Sequence, residues 1–222
     1  MKKLITLNII FIALCVALGM TYSLYGGLLV KGLASLCFVA LGAINLNYAR
    51  KTRGEKHKYE MVIVAGLFVC MIADVVLNLN FIAGALIFAA GHIFYFSAYC
   101  YLEKFKARDA GFGIVIFAAA AMFIMTAPIF DFGSLVMQSV CLAYAAIISG
   151  MLGKALSNFI RNKCLVNTVL AVGSLLFFFS DLMLSLDVFA SGGKVTGILC
   201  LATYFPAQCV IACSLLAGQK KK

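Results

Sequence analysis

Eight long apolar stretches decide what this chain can fold into. They fall near residues 4–23, 27–48, 60–79, 81–102, 111–130, 133–153, 164–186 and 194–217. Each has about the 20 residues that a helix needs to cross the hydrocarbon core of a bilayer. Hydrophobic residues make up 64% of the chain and charged residues 12%, against about 25% charged in soluble domains. We therefore predict an all-α membrane protein with eight transmembrane helices, in which residues 1–222 form a single transmembrane domain.

The basic residues predict which ends of these helices face the cytoplasm. Of 18 Lys and Arg, all but Lys31 and Lys194 lie at the termini or in the connections after helices two, four and six, the last expected to contain Lys154, Arg161 and Lys163. By the positive-inside rule this side is cytoplasmic. We expect a multi-pass protein of the cell (inner) membrane with both termini in the cytoplasm. The net charge of +10 then follows from topology and lipid headgroups, and no nucleic-acid partner is expected.

The first 19 residues also resemble a secretory signal. "MKKLITLNIIFIALCVALG" has a basic start, an apolar stretch and small residues near Ala17 and Gly19, as signal peptides do. Cleavage would leave seven helices in the same orientation. We expect the first helix to be retained, because the internal repeat described next requires it.

Two aspartates stand inside apolar stretches, and the segments around them suggest an internal repeat. Asp74 lies in "MIADVVLNL" and Asp181 in "FSDLMLSLD". A shift of 107 residues aligns "DVVLNLNFIA" with "DLMLSLDVFA" and carries Lys31 onto Gln138. Because the shift spans four helices, it predicts a parallel four-plus-four repeat with halves 1–107 and 108–222. Helices three and seven would then be equivalent, and their aspartates would face each other across the repeat axis.

Other polar residues recur at helical spacing, which predicts a polar interior instead of scattered contact with lipid. They lie on helices two, three, four, seven and eight: Lys31, Ser35 and Asn45; Asp74 and Asn78; His92, Tyr95 and Tyr99; Asp181 and Ser185; Thr196, Cys200, Tyr204 and Gln208. Counted along the helices, the two aspartates fall in the non-cytoplasmic half of the membrane. We expect a pocket that opens toward that side.

Each of these residues also has a purely structural interpretation. Both aspartates can be partners of Lys31 or of hydrogen bonds between helices, and His92 can make a simple interhelical hydrogen bond. Lys31 can reach the membrane surface from a helix end, and Tyr204 and Gln208 can satisfy backbone groups freed by the kink at Pro206. A functional role of the aspartates is favoured, because a carboxylate at the bilayer centre costs roughly 2.5 to 3.5 kcal/mol on insertion scales.

The order and spacing of four segments resemble the YhhN-like lysoplasmalogenase family. These segments are the intramembrane Asp74, "GHIFY" (91–95), "SDLMLSLDVF" (180–189) and "YFPAQ" (204–208). The resemblance implies an eight-helix membrane protein that cleaves the vinyl-ether bond of lysoplasmalogens to a fatty aldehyde and glycerophosphoethanolamine or glycerophosphocholine. The family usually has Gly where this chain has Ala73, and often Pro where it has Gly32, so pocket shape is the feature in which this chain departs from it.

The chemistry of that reaction suits the two aspartates. Protonation of an alkene carbon gives an oxocarbenium-like cation, which water captures as a hemiacetal that collapses to aldehyde and alcohol. The reaction needs an acid, a neighbouring anion and a placed water, and two carboxyl groups can divide the first two tasks as they do in glycosidases. We predict Asp74 and Asp181 as a catalytic pair with His92 as a proton shuttle. Either aspartate can be the acid.

The remaining polar residues are predicted to bind the lysophospholipid substrate. Lys31 lies near the membrane boundary and can hold the phosphate, and Asn78, Tyr95, Tyr204 and Gln208 complete the site. No residue pattern demands a metal or an organic cofactor. The nine cysteines form no CxxC motif and lie almost all in apolar stretches, as buried, reduced packing residues do. Membrane lipids are the other expected partners, and the sequence leaves the oligomeric state open.

Two other functions remain open from the sequence. A proton-coupled transporter or lipid flippase would use Asp74, Asp181 and His92 as a relay, and parallel repeats occur among transporters. A lipid-binding or scaffolding membrane protein would need only structural polar contacts. An enzyme, unlike these two, releases aldehyde from lysoplasmalogen in detergent, where no gradient exists.

The charge distribution gives a first testable prediction. Single cysteines introduced at positions between 50 and 58 or between 154 and 163 should react with a membrane-impermeant thiol reagent only when the cytoplasmic side is opened. Single cysteines at positions 131 and 132, between the stretches 111–130 and 133–153, should react in intact cells. Labelling of the first set in intact cells would overturn the predicted orientation.

Overall fold

The computed structural model describes residues 2–53 and 57–217, which form eight α-helices and no strand. The helices are α1 (Lys2–Tyr25), α2 (Leu28–Arg53), α3 (Lys58–Leu77), α4 (Phe81–Leu102), α5 (Ala107–Thr126), α6 (Leu135–Arg161), α7 (Leu165–Phe189) and α8 (Gly193–Ala217). All eight are long and apolar enough to cross a membrane. The predicted all-α fold with eight helices is thereby confirmed. Lys56 and Lys220–Lys222, which the charge argument also used, lie outside the described residues.

The bounds of α5 and α6 differ from the apolar stretches, and local chemistry explains both differences. α5 begins at Ala107 because Asp109, in its first turn, accepts the backbone N–H of Lys106 at 2.9 Å, which caps the helix start. It ends at Thr126, two residues before Pro128, since the residue before a proline disfavours helical backbone. α6 continues to Arg161, well beyond the predicted end at residue 153.

The extension of α6 depends on a buried ion pair. Lys154 Nζ lies 2.7 Å from Asp109 Oδ2, and both side chains are fully buried. Ser157 Oγ donates to Asp109 Oδ1 at 2.5 Å, and Lys154 Nζ also donates to the Glu103 carbonyl at 2.7 Å. The expectation that Lys154 lies in a cytoplasmic connection is wrong. Hydropathy alone places the end of an apolar stretch at a lysine, but the Lys154 ammonium is paired with Asp109 inside the protein.

Six helices, α2, α3, α4, α6, α7 and α8, pack in a closed ring, and α1 and α5 lie outside it. α1 packs on α2, α2 on α3, α3 on α4, α5 on α6, α6 on α7 and α7 on α8, while α2 also packs on α8 and α4 on α6. α1 packs on α8 as well, whereas the backbone of α5 approaches that of α6 alone among the described helices. The fourth and fifth helices, although consecutive, are therefore separated along their lengths.

Two asparagine contacts follow the pattern that a four-plus-four repeat predicts. Asn45 on α2 donates from Nδ2 to the carbonyl of Ala212 on α8 at 3.2 Å, and Asn158 on α6 donates from Nδ2 to the carbonyl of Tyr99 on α4 at 3.0 Å. Positions 45 and 158, and positions 99 and 212, are each 113 residues apart. Exchanging α2 with α6 and α4 with α8 turns one contact into the other. This correspondence supports the repeat, which remains a prediction for the chain as a whole.

The buried pair between Asp109 and Lys154 generates a prediction about stability. Asp109→Asn should lower the free energy of unfolding by about 3 to 5 kcal/mol, because it leaves an uncompensated ammonium inside the protein. Adding Lys154→Met should recover part of this loss, because the fully buried ammonium is then gone, while Arg161, whose Nη2 lies 3.4 Å from Asp109 Oδ1, still lacks its partner. Thermal unfolding in detergent measures both effects, with Asp131→Asn, a change at an exposed aspartate, as the control. An Asp109→Asn variant as stable as the parent would contradict the stabilising role of the pair between Asp109 and Lys154.

Candidate functional site

Asp74 lies in a buried cluster that supplies donors to both of its oxygens. Ser35 Oγ on α2 donates to Oδ2 at 2.6 Å, and Tyr204 Oη on α8 donates to the same atom at 2.7 Å. Lys31 Nζ on α2 lies 3.4 Å from Oδ1. The Asp74 side chain is 1% exposed. Two hydroxyl donors and an ammonium around one carboxylate are an arrangement that suits an anion.

A second layer holds Tyr204 in place. Gln208, one turn further along α8, donates from Nε2 to Tyr204 Oη at 3.2 Å, and Tyr95 on α4 donates from Oη to Gln208 Oε1 at 2.6 Å. All three side chains are buried. Their polar atoms bond to one another and to Asp74, not to backbone groups near Pro206, so the kink does not account for them.

Lys31 lies at the edge of this cluster, toward the ends of α1 and α3. Its ammonium lies 5.4 Å from the ring centroid of Tyr22, a cation–π distance. Tyr22 Oη donates to Asn78 Oδ1 at 2.7 Å, and Asn78 Nδ2 donates to the backbone carbonyl of Asp74 at 2.7 Å. Lys31 is 5% exposed, so it does not extend freely to the membrane surface.

Asp181 has different partners, on α4 and α6. Tyr144 Oη donates to Asp181 Oδ2 at 2.7 Å, and His92 Nε2 lies 2.7 Å from Tyr144 Oη and 3.5 Å from Asp181 Oδ2. Because the hydroxyl proton of Tyr144 points to Asp181, the Tyr144 oxygen is free to accept from His92 Nε2–H. Asp181 Oδ1 has no hydrogen-bond partner among the described residues. The Asp181 side chain is 14% exposed.

His92 is completely buried, and only one of its two ring nitrogens has a hydrogen-bond partner among the described residues. Its Nδ1 has no hydrogen-bond partner in the described part of the chain. Its ring packs edge-on against Phe177, with centroids 4.7 Å apart. One ring nitrogen is therefore part of a hydrogen-bonded chain to Asp181, and the other lies in the protein interior without a polar contact.

Aromatic rings lie between the two aspartate clusters. Phe177 packs on His92 on one side and on Tyr204 on the other, with centroids 4.7 and 5.3 Å apart, and Phe88 also packs on Tyr204. Within residues 2–53 and 57–217, no hydrogen bond or ion pair joins Asp74 to Asp181. The structure thus brings the predicted residues into two clusters, and the expectation that the aspartates work as one pair stays a prediction.

The two clusters have corresponding partners in the proposed repeat. Asp74 on α3 is contacted from α2 and α8, and Asp181 on α7 is contacted from α6 and α4. Lys31 and Tyr144 are 113 residues apart, the same shift that relates the two asparagine contacts. Tyr144 is a site residue that sequence reasoning missed. The 107-residue shift placed Lys31 on Gln138 instead, and a separate shift for α2 and α6 would have found it.

Asp181 lines a cavity, the apolar cavity, between α4, α5, α6 and α7. Its empty volume is about 770 Å³, which includes space open to the surroundings. The polar side chains in its wall include Asp181, Tyr144 and Ser185, and apolar residues make up most of the rest, among them Ala85, Phe88, Ala120, Ile124, Val140, Ile148 and Phe178. α5 packs on α6 and not on α4, and the cavity occupies the space between α5 and the α4 side of the ring.

Lys31 lines a second cavity, the polar cavity, with an empty volume of about 620 Å³. The other polar residues in its wall are Tyr22, Asn78 and Asp187. Leu77, Phe81 and Leu184 line both cavities, which are therefore adjacent. Five of the predicted site residues line neither cavity and lie behind the cavity walls: Asp74, His92, Tyr95, Tyr204 and Gln208.

Asp187 is a second residue that sequence reasoning did not single out, since it lies near a helix end, where a charged residue is common.

Metal-ligating side chains are not grouped in this site. Among residues 2–53 and 57–217, no three His, Cys, Asp or Glu side chains lie close enough together to hold a metal ion. All nine cysteines are free thiols. The chemistry available at the two cavities is that of carboxyl, imidazole, phenol and ammonium groups.

Comparison with known proteins identifies the family of this chain. A search of curated proteins and of solved structures found none that matches it. The sequence model of the YhhN family matches residues 26–215, which comprise seven of the eight helices and all residues of both clusters except Tyr22. The chain therefore belongs to the YhhN family.

Proposed function

We propose that this protein is a membrane-embedded hydrolase that cleaves the vinyl-ether bond of lysoplasmalogens. The observation that carries the proposal is the position of Asp181, a carboxyl group in the wall of an apolar cavity that adjoins a polar cavity containing Lys31. A lysoplasmalogen has a long alkenyl chain, an acid-sensitive bond and a phosphate headgroup in that order. Membership of the YhhN family supports the same reaction class.

The two cavities together fit the shape of such a lipid. The alkenyl chain occupies the apolar cavity, which it enters from the bilayer through the gap between α4 and α5. The headgroup occupies the polar cavity, where the Lys31 ammonium binds the phosphate. The vinyl ether, which joins the two parts, then lies near Leu77, Phe81 and Leu184, where the cavities meet.

Asp181 is the proton donor in this proposal. Its Oδ1 carries the proton and transfers it to the alkene carbon that is not bonded to oxygen, which leaves an oxocarbenium ion beside the new Asp181 carboxylate. Water adds to the cationic carbon and gives its proton to Asp181, so the group is restored. The hemiacetal then collapses to the aldehyde and the glycerol hydroxyl, and the overall reaction consumes one water. One carboxyl group thus serves as acid and then as base.

His92 and Tyr144 assist Asp181 from behind the cavity wall. The Tyr144 hydroxyl holds Asp181 Oδ2 at 2.7 Å, so that the free oxygen, Oδ1, is the one that exchanges the proton. His92 Nε2 holds the Tyr144 oxygen at 2.7 Å. Through this chain, the His92 Nε2–H polarises the Tyr144 hydroxyl toward Asp181 and so stabilises the carboxylate that remains after proton transfer.

Asp74 acts one contact away from the substrate. It is enclosed by Ser35, Tyr204 and Lys31 and lines neither cavity, so we assign it the role of holding the Lys31 ammonium at the headgroup site. Tyr95 and Gln208 position Tyr204 and therefore Asp74. Asn78 lines the polar cavity, so its amide can contact the headgroup.

One observation also favours the second candidate, a proton-coupled transporter. The chain His92–Tyr144–Asp181 is a short proton relay, which intramembrane carriers use as well. Purified protein in detergent separates the two functions. A hydrolase releases free aldehyde from lysoplasmalogen without a gradient and not from the alkyl-ether analogue, which lacks the alkene. A transporter releases no aldehyde under these conditions.

The different surroundings of the aspartates predict different kinetic effects. Asp181→Asn should lower kcat by about 10²- to 10⁴-fold with little change in KM, because it removes the proton that the alkene receives. Asp74→Asn should mainly raise KM, because Lys31 loses its counter-ion. Steady-state aldehyde release measures both, and monodisperse elution in detergent controls for folding.

Two outcomes would change this assignment. Near-normal turnover of a folded Asp181→Asn variant would end the catalytic role of Asp181. Asp74→Asn could instead lower kcat as strongly as Asp181→Asn, with the double variant no less active than the less active single variant. The two carboxyl groups would then form the direct catalytic pair predicted from the sequence.

The apolar cavity predicts selectivity for chain length, and two adjacent alanines test it. Ala120 lines the cavity, while Ala119 is exposed on the outer face of α5. Ala120→Phe should lower kcat/KM for long-chain lysoplasmalogens by roughly tenfold or more, because the ring fills space that the chain needs, and should affect short-chain substrates less. Ala119→Phe should leave both unchanged. Equal effects of the two variants, or no effect of Ala120→Phe, would show that the alkenyl chain of the substrate does not bind in this cavity.

A further inference from the structure

We propose that Asp187 binds the ammonium group of a zwitterionic lipid headgroup, across the polar cavity from Lys31. The inference rests on the proposed placement of the headgroup in this cavity. It assigns to Asp187 a role in substrate selection that the reaction chemistry does not require.

The position of Asp187 carries the inference. It lies in the last turn of α7 and lines the polar cavity together with Lys31, Tyr22 and Asn78. Thr196 Oγ1 lies within hydrogen-bond distance of both Asp187 Oδ1, at 3.0 Å, and the Gly193 carbonyl, at 2.7 Å, while no residue in the described ranges forms a hydrogen bond to Oδ2. No Lys, Arg or His in those ranges pairs with Asp187. Its charge is therefore uncompensated by the protein.

Gly197, on α8, leaves Asp187 Oδ2 accessible from the cavity. Gly197 follows Thr196 and also lines the polar cavity. A methyl group added to Gly197 would lie 3.4 Å from Asp187 Oδ2, so the absence of a side chain there keeps the oxygen open on that side. The second carboxylate oxygen is thus available to a ligand.

The charges of the cavity match a zwitterion. Lys31 supplies one ammonium for a phosphodiester, and Asp187 supplies one carboxylate for a headgroup cation. A headgroup with both charges satisfies both residues, whereas a phosphodiester without a cation leaves the Asp187 charge unpaired beside a second anion. This repulsion is a means of rejecting anionic lipids as well as attracting zwitterionic ones.

Asp187 also has a local structural contact, which the experiment must separate from ligand binding. By accepting from Thr196 in the first turn of α8, it ties the end of α7 to the start of α8, and a carboxylate near a helix N-terminus is stabilising. Thr196→Val removes this hydrogen bond and keeps the carboxylate. Asp187→Asn keeps an acceptor for Thr196 and removes the charge.

Binding of two matched ether lipids tests the proposal in the full-length protein in detergent. The probes are 1-O-alkyl-glycero-3-phosphoethanolamine and 1-O-alkyl-glycero-3-phosphoethanol, which have the same chain and phosphodiester, no vinyl ether, and differ in the ammonium. The parent protein should bind the ethanolamine lipid roughly fivefold to tenfold more tightly. Asp187→Asn should bring the ratio of the two Kd values close to one, mainly by weakening the ethanolamine lipid.

Two control variants complete the measurement. Thr196→Val and Asp131→Asn, the latter a loss of an exposed charge outside both cavities, should keep the parent ratio. The proposal is overturned if the parent shows no preference, if Asp187→Asn keeps the preference, or if Thr196→Val abolishes it equally. Aldehyde release is measured separately. If it is absent while the binding ratios follow the expectation, the hydrolase proposal falls and the Asp187 assignment stands.

Discussion

The rest of this structure depends on how each buried carboxylate finds hydrogen-bond donors. The hydrocarbon core of a bilayer offers no water, so the donors must come from the protein. Asp74 takes them from α2 and α8, Asp181 from Tyr144 on α6, which His92 on α4 supports in turn, and Asp109 from α6. Because these donors lie on other helices, satisfying three carboxylates also fixes which helices are neighbours. Packing of apolar side chains alone would leave that choice far less specific, since lipid tails are as apolar as they are.

In the proposed four-plus-four repeat, the two halves differ in how their first helix packs. In the first half α1 packs on α8, and Asp74 is enclosed. In the second half α5 does not pack on α4, and the corresponding space is the apolar cavity that Asp181 lines. One difference in helix packing therefore separates an enclosed carboxylate from one that lines a cavity. Duplicated folds can divide structural and chemical tasks in this way without changing the positions of the carboxylates.

The sequence predicted the features that a single segment determines, and it did not predict those that depend on contacts between two segments. Eight apolar stretches determine eight helices because each can be assessed alone. Asp74, Asp181 and His92 stand out because each is anomalous in its own apolar stretch. Lys154 was misplaced because its burial depends on Asp109, which lies 45 positions earlier. Tyr144 was missed since a tyrosine in an apolar helix is ordinary until the carboxylate opposite it is known, and the two cavities follow from a gap between helices that no single stretch encodes.

In the proposed function, the pair between Lys31 and Asp74 gives a carboxylate outside both cavities a role in headgroup binding. A lysine near a helix end would normally extend toward water, but Lys31 is 5% exposed and lies between Asp74 and the ring of Tyr22. Asp74 can hold it there only because Ser35 and Tyr204 occupy the other carboxylate oxygen, and Tyr204 is oriented in turn by Gln208 and Tyr95. A chain of contacts from the centre of the bundle thus sets the position of one ammonium group at its edge. On this view the buried polar residues of α4 and α8 contribute to headgroup binding through rigidity, while the residues that meet the lipid are few and lie at the walls of the two cavities.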